Sequence, residues 1–529
     1  MTARLRTTLA ALLLCAMALP AFAALAAEDD LAAPAALGAV YLPLVTSGGL
    51  DLAIAGLEIT QSTQTASNSL PLVAGRPTVV RVYARSEGGE PAAAVTVSIA
   101  ATRDGRPLSG SPLRVGPKPV GRAAVRADYA ASFNALLPTE WLSGTVSLVA
   151  TVDAEGDVAE ASEGNNSAQA TLAFTSVPAL DIVIVPIHYT HTPTGRTYPA
   201  PAADTLSDWV MRTYPVSAID VAFHTPLSFS GNLGSVADWE RLLDEVTTVK
   251  FADGSPANQV YYALVPTQSG GERWFVGGVA GIGWVGLRAA VGLEFGPGQE
   301  EKTGRIAAHE LGHNLRRYHA PCGTSGDPRQ PYPHAGGTIG PETYGLDIPY
   351  GRVWLPTAPD NARDVMSYCT PQWISDFTYR ALYDEQRIFG AAPAAPLAAE
   401  AAGAQASLGD GALLVRAVLG PEGTTLLPVY AVSGAPAPPA MGGEYAVELL
   451  GESGALLARH PVDAVAAEAP HAFDVPPAHG EDSGHTHAPA RRIHALLPLP
   501  AAPVAAVRLV RVAPTNDERQ AAAGDGVPE

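Results

Sequence analysis

Residues His309 to His319 read His-Glu-Leu-Gly-His-Asn-Leu-Arg-Arg-Tyr-His, and no other stretch constrains the fold of this chain as tightly. On an α-helix, positions four apart lie about 40° apart around the axis and about 6 Å along it, so His309 and His313 share a face. Two neutral imidazoles on one face make half of a zinc chelate. Glu310 falls beside the first of them, where a carboxylate can take a proton from a zinc-activated water without binding the metal itself. His319 stands ten positions after His309, and a helix continued that far would carry it about 15 Å along the axis and off the ligand face. As a third ligand it requires the chain to turn back sharply between His313 and His319.

With Asp364-Val365-Met366-Ser367-Tyr368 downstream, this spacing resembles the metzincin zinc peptidases, whose motif is H-E-x-x-H-x-x-G-x-x-H followed by a Met-turn. His309, Glu310, His313 and His319 stand in place, Met366 is the Met-turn candidate, and the family glycine falls on Arg316. A non-glycine residue held left-handed there costs about 1–2 kcal/mol. The resemblance implies an α+β catalytic domain with a twisted sheet, a zinc helix and a Met-turn. It also implies one catalytic Zn2+ on His309, His313 and His319, with Glu310 as general base. Tyr368 occupies the position at which some metzincins carry a tyrosine that binds the zinc at rest or hydrogen-bonds the oxyanion; read from the residues alone, it is equally an aromatic packed beside Met366.

A length of 529 residues suggests about three domains, and 47% hydrophobic with 16% charged residues describes folded protein. The formal charge of −19 argues against nucleic acid or an anionic membrane surface as partner. Arg4 and Arg6, the apolar run Leu9 to Leu19 and the patterns Ala21-Phe22-Ala23 and Ala24-Leu25-Ala26 predict a secretory signal peptide over 1–26. No later run is apolar for about 20 residues, so no transmembrane segment is expected in the mature chain, which should be secreted and extracellular. Cys322 and Cys369 then remain, and two thiols in an oxidising compartment are expected to pair, tying the third-ligand loop to the Met-turn.

Taken in order, 27–49 is an Ala-, Pro- and Gly-rich linker and 50–175 an immunoglobulin-like β-sandwich, with strands at Leu57–Thr60, Thr78–Ala84, Ala94–Ala100, Thr145–Val152 and Ala168–Phe174. Its hairpin through Asp153, Val158, Glu160, Glu163, Asn165 and Asn166 resembles that of cell-adhesion-related bacterial domains. Those acidic groups could hold Ca2+, although hydrogen bonds closing a turn explain them more simply. Residues 176–390 carry the catalytic pattern: a central-strand run at Leu180–Ile187, helical segments at Asp204–Tyr214 and Val236–Val249, a stretch Glu300–Tyr318 that contains the zinc helix and a closing helix at Trp373–Arg387. Gly281-Ile282-Gly283-Trp284-Val285-Gly286 spells the dinucleotide fingerprint, but Val285–Leu293 reads as extended where that motif needs a helix. Gly283–Ala289 is either a sheet edge that pairs with extended substrate or an ordinary glycine-rich hairpin. His334 and Asp347 read as polar loop residues. After a linker at 391–404, residues 405–513 give a second β-sandwich, with strands including Leu426–Val432 and Ala472–Val475, and 514–529 a disordered tail. His479, His485 and His487 lie in a polar loop that could take a metal weakly.

The expected molecule is multidomain: a metzincin-like α+β catalytic domain flanked by two all-β sandwiches. The expected function is a secreted zinc metalloendopeptidase acting on protein or peptide, with the sandwiches available to a cell-surface or matrix target. A catalytically weak scaffold serving as an extracellular binding or adhesion protein is the alternative, favoured by Arg316 and opposed by the presence of Glu310. A zinc hydrolase acting on a non-peptide amide or a glycan also carries such a motif. No cysteine of the mature chain precedes the zinc helix, which argues against a thiol latency switch.

Overall fold

The run Leu180 to Ile187 is apolar at nearly every position, a pattern that suits a strand covered on both faces. In the computed structural model it forms β1 (Leu180–His191), inside an eight-stranded mixed sheet. The structure describes residues 50–87, 91–356, 361–389, 411–420, 423–427, 429–433, 443–466, 471–473 and 491–512. The expected signal peptide, both linkers, the tail and the His479–His487 loop lie outside the described residues.

β2 (Ile219–Phe223), β3 (Leu227–Gly231) and β4 (Val260–Pro266) all pair with β1 in parallel. β5 (Gly278–Gly283) and β6 (Ala289–Glu294) form an antiparallel pair, with β6 lying parallel against β4. Alternation along the strands sorts the interior into two cores. Ile182, Ile184, Tyr262 and Leu264 meet Trp209 and Val210 of α1 (Ser207–Thr213) and Ala307, Ala308 and Leu311 of α3 (Glu300–Asn314). Val183, Val185, Ala263, Val265, Val291 and Leu293 meet Trp239, Leu242, Leu243 and Val246 of α2 (Val236–Ala252) on the other face. α4 (Asp376–Phe389) sends Tyr379 and Leu382 into the first core.

Residues 50–175 form two sheets around Ile59, Val80, Val82, Val97, Ile99, Trp141 and Leu148. All five expected strands are there; Leu113–Val120 and Phe133–Leu136 join them. This sandwich is bonded directly to the central part. Thr63–Thr65 pairs with Thr343–Asp347, Ser62 Oγ donates to Thr213 O at 3.0 Å, and Trp373 Nε1 donates to Ser62 O at 2.8 Å. Arg76, buried, donates to the carbonyls of Val216 and Arg212.

Strands between residues 411 and 512 form two further sheets packed on Val415, Ala417, Val447, Leu449 and Ile493. The expected strand Leu426–Val432 is two, Gly423–Leu426 and Tyr430–Ser433. The expected strand Ala472–Val475 is a more instructive correction. Its counterpart β7 (His471–Phe473) leaves the sandwich and pairs antiparallel with β5 of the central sheet. β5 is therefore covered on its outer side, and Gly283–Ala289 is neither a strand nor a sheet edge. The chain turns between Gly283 and Ala289, with Gly286 at φ 81°, before β6 begins. Extended structure starts at Ala289 rather than Val285 because Asn314 binds this turn, donating from Nδ2 to the carbonyls of Trp284, Leu287 and Ala289.

The third part docks on α2. Arg492 pairs with Glu240 and Asp244, Arg416 donates to Thr248 Oγ1, and His494 packs against Trp284 with ring centroids 5.0 Å apart. Burial, then the Arg492 and Arg416 guanidiniums, hold the His494 imidazole down to about 3, although Asp244 Oδ1 is 3.6 Å away. The neutral ring is the folded form, so its contribution is present above the ordinary histidine pKa and is lost as pH falls below it. Going from pH 7 to pH 5 should cost about 2 kcal/mol through this group. Urea midpoints at both pH values should show that loss in the parent and its absence in His494→Gln.

Candidate metal centre

α3 ends at Asn314, within the stretch Glu300–Tyr318 expected to contain it, and how it ends builds the site. Arg316 N–H donates to His313 O and Arg317 N–H to Gly312 O, both at 2.9 Å, the paired bonds of a Schellman motif. Arg316 holds the left-handed position, φ 62°, that such a cap usually gives to glycine. Its side chain is anchored: Nε lies 3.3 Å from Glu385 Oε1 of α4. The turn reverses the chain, and His319 comes back to the face carrying His309 and His313.

The ligand atoms of His309, His313 and His319 all lie within 4.8 Å of one another, and all three residues are buried. Among the described residues this is the group of His, Cys, Asp or Glu side chains that could hold a metal ion. His309 Nδ1 donates to Val365 O at 2.8 Å and His313 Nδ1 to Arg317 O at 2.7 Å. Because carbonyl oxygens only accept, each Nδ1 carries the proton and each neutral ring turns a bare Nε2 inward. Those two Nε2 atoms are 3.2 Å apart, a distance at which facing lone pairs repel unless a cation lies between them. Burial, then the neighbouring His313 and His319, keep His309 well below the ordinary histidine pKa.

The segment with Met366 lies directly beneath. Asp364 is buried; its Oδ1 accepts Met366 N–H at 2.8 Å and its Oδ2 accepts Ser375 N–H at 3.0 Å, while burial pushes its carboxyl up. The turn so fixed presents Val365 O to His309 and Met366 O to Ala320 N–H. Asp364 organises the turn and the ligands together, a role read off only once its neighbours are known; an Asp two residues before a buried residue is the local signal. Cys322 and Cys369 are disulfide-bonded, the pairing expected of the two. Tyr368 OH sits 3.1 Å from His319 Nε2.

Glycine spacing explains how Glu310 fits. A Cβ at Gly281 would stand 2.5 Å from Glu310 Oε1, and one at Gly283 would stand 2.9 Å from Glu310 O. Gly281 and Gly283 of the apparent dinucleotide fingerprint thus make a smooth strand face against which α3 lays the Glu310 carboxylate. The phenol of Tyr262 is pushed well up by burial, then by Glu310 and Tyr214. Gly312 has the same kind of role toward Met366, whose Sδ would meet an added Cβ at 2.3 Å. Gly312→Ala should therefore destabilise by about 1–2 kcal/mol, overpacking outweighing the gain in helix propensity. Urea denaturation checks the stability loss, and a metal titration should show weaker binding as Met366 shifts.

Other candidates lie elsewhere. His334 Nε2 is 2.6 Å from Asp376 Oδ1, and Asp347 Oδ2 accepts from Arg212 at 2.6 Å. In the acidic corner, Glu160 accepts from Leu52 N–H at 2.5 Å and Asn166 Nδ2 at 2.6 Å, and Asp153 accepts from the N–H groups of Asp157 and Val158. These bonds close the turn, as the simpler reading expected.

No protein-family model matches the sequence, and no curated protein matches it. Among solved structures, the chain is similar to a CARDB domain of a protein from Pyrococcus furiosus, crystallised in complex with di-metal ions. That domain is 20% identical, with 24% of this chain and 90% of that chain covered and a TM-score of 0.17. A domain of a cell surface protein from Methanosarcina acetivorans is 16% identical, with 24% and 91% covered and a TM-score of 0.17. No helix among the described residues is long and apolar enough to cross a membrane.

Proposed function

We propose that the chain is an exported zinc endopeptidase resembling the metzincins, with His309, His313 and His319 as the zinc ligands and Glu310 as general base. The observation that carries this reading is the convergence of three buried imidazoles within 4.8 Å, two of them with Nδ1 committed to carbonyls. Three histidine nitrogens, one short of the four ligands of a closed tetrahedral site, are the donor set of a catalytic rather than a structural zinc. A zinc ion held there supplies Lewis-acid polarisation of a carbonyl and an acidified water. Glu310, on the residue after the first ligand, takes the proton from the attacking water and returns it to the leaving amine. Tyr368, whose OH is 3.1 Å from His319 Nε2, would donate a hydrogen bond to the carbonyl oxygen as its charge grows. The sandwich at residues 50–175, bonded to the same body, offers faces toward a cell-surface or matrix target.

Metal titration tests the reading. The secreted chain, stripped by chelator and titrated with Zn2+, should regain hydrolysis of denatured casein in proportion to zinc until the site saturates. Saturable zinc binding without hydrolysis of casein or of a peptide library would overturn the peptidase assignment, and no saturable binding would overturn the zinc site.

A further inference from the structure

β5 is the last strand that residues 176–389 contribute to the central sheet beyond β6, with Gly281 opposite Gly292, Ile282 opposite Val291 and Gly283 opposite Ala290. An outer strand offers a row of main-chain N–H and C=O groups that any extended chain can satisfy. Here the row is filled from within the molecule. β7 lies antiparallel on it, pairing Phe473 with Gly278, Ala472 with Val279 and His471 with Gly281, with a bulge between Val279 and Gly281.

Two facts give this pairing a meaning beyond closure of an edge. First, the register brings β7 to the residue where Glu310 lies, since Gly281 is the position whose Cβ would stand 2.5 Å from Glu310 Oε1. A polypeptide seated on β5 therefore runs one strand away from the proposed general base. Second, among the described residues β7 pairs with none of the sandwich strands on either side of it in sequence, although they form sheets of their own. Arg492 and Arg416 hold that sandwich on α2, whereas β7 lies on the central sheet. A three-residue strand interrupted by a bulge is a short occupant that can be displaced.

We propose that β7 is a built-in competitor for extended peptide on β5, so that a peptide substrate gains the proposed zinc centre by displacing residues His471–Phe473. This rests on the peptidase reading given above. Binding to the zinc-loaded, full-length chain tests it with two probes. Acetohydroxamate needs only the metal, whereas a tripeptidyl hydroxamate also needs main-chain partners.

Successive residues of a strand turn their N–H groups to opposite sides, so His471→Pro/Ala472→Pro removes whichever one faces β5. This variant should bind the tripeptidyl probe about tenfold more tightly, as expected for releasing a pair of main-chain hydrogen bonds. Val279→Cys/Ala472→Cys joins residues that face each other, at the Cα separation of about 4.5–5.5 Å that a disulfide accepts. Oxidised, it should bind the tripeptidyl probe at least about tenfold more weakly, for the same bonds are then locked. Reduction should restore the affinity of the parent given the same reductant, a control needed because Cys322–Cys369 meets that reductant too, and this also shows that the variant is folded. Acetohydroxamate should bind all of them alike. Equal affinity for the tripeptidyl probe in parent, proline variant and oxidised pair would overturn the proposal and leave β7 a structural cap. If acetohydroxamate fails to bind the zinc-loaded parent, the zinc reading fails and the competitor role falls with it.

Discussion

Glu310→Gln is expected to lower kcat for peptide hydrolysis by about 10²–10⁴-fold while zinc binding and fold stability stay near parental values. The substitution is chosen for the space it must occupy. Glu310 is 1% exposed and lies against Gly281 and Gly283, where even a methyl group on the strand would not fit. Gln keeps the volume and removes only the capacity to accept and return a proton. A shortened side chain such as alanine would leave a cavity under α3 and confuse stability with chemistry. Calorimetric zinc titration, urea midpoints and steady-state rates on one preparation separate the effects. Loss of rate with zinc retained assigns the base to Glu310. Parallel loss of zinc and rate would make Glu310 a support for the ligands, and an unchanged rate would remove it from the reaction.

Much of this site was legible in the sequence because its parts are local. The four-residue spacing of His309 and His313 is a property of any helix, and the return of His319 followed from the impossibility of reaching it along a straight one. Arg316 shows where such reasoning reaches its end. Its left-handed φ of 62° was expected as a cost, whereas its anchorage at Glu385 depends on α4, more than 50 residues away in sequence. Similarly, Asn314 and Asp364 are ordinary polar residues until the turn and the carbonyls they bind come together from other segments. Gly281 and Gly283 lie in a strand rather than opening a helix, but their partner, the Glu310 side chain, belongs to another element. The excursion of β7 was the least legible. Ala472–Val475 has the composition of any short strand, and nothing local says which sheet such a strand will join.

The disulfide supplies the second large expected effect. Cys322→Ser/Cys369→Ser should destabilise the metal-free chain by about 4 kcal/mol, the chain-entropy value for a loop closed across 47 residues. The bridge also bears on the centre, for it joins the residues just beyond His319 to those just beyond Met366. Two main-chain bonds cross the same gap, Ala320 N–H to Met366 O and Tyr368 N–H to Cys322 O, each 2.9 Å. They remain in the variant, so His319 keeps its place in the folded state but with less to enforce it. Zinc affinity should then fall about 10–100-fold, the range for losing a support behind a ligand. Linkage turns these into one measurement. A ligand that binds only the folded state adds stability in proportion to the logarithm of its affinity, so weaker zinc binding makes the variant gain less from saturating zinc. The difference in stability between parent and variant should therefore widen by about 1.4–2.7 kcal/mol when both are saturated. Urea midpoints with chelator and with excess zinc check this. If the difference is the same in both, the bridge restrains the unfolded chain without steadying the histidines, and the ligand geometry rests on Asp364, Val365 and the Arg316 turn alone.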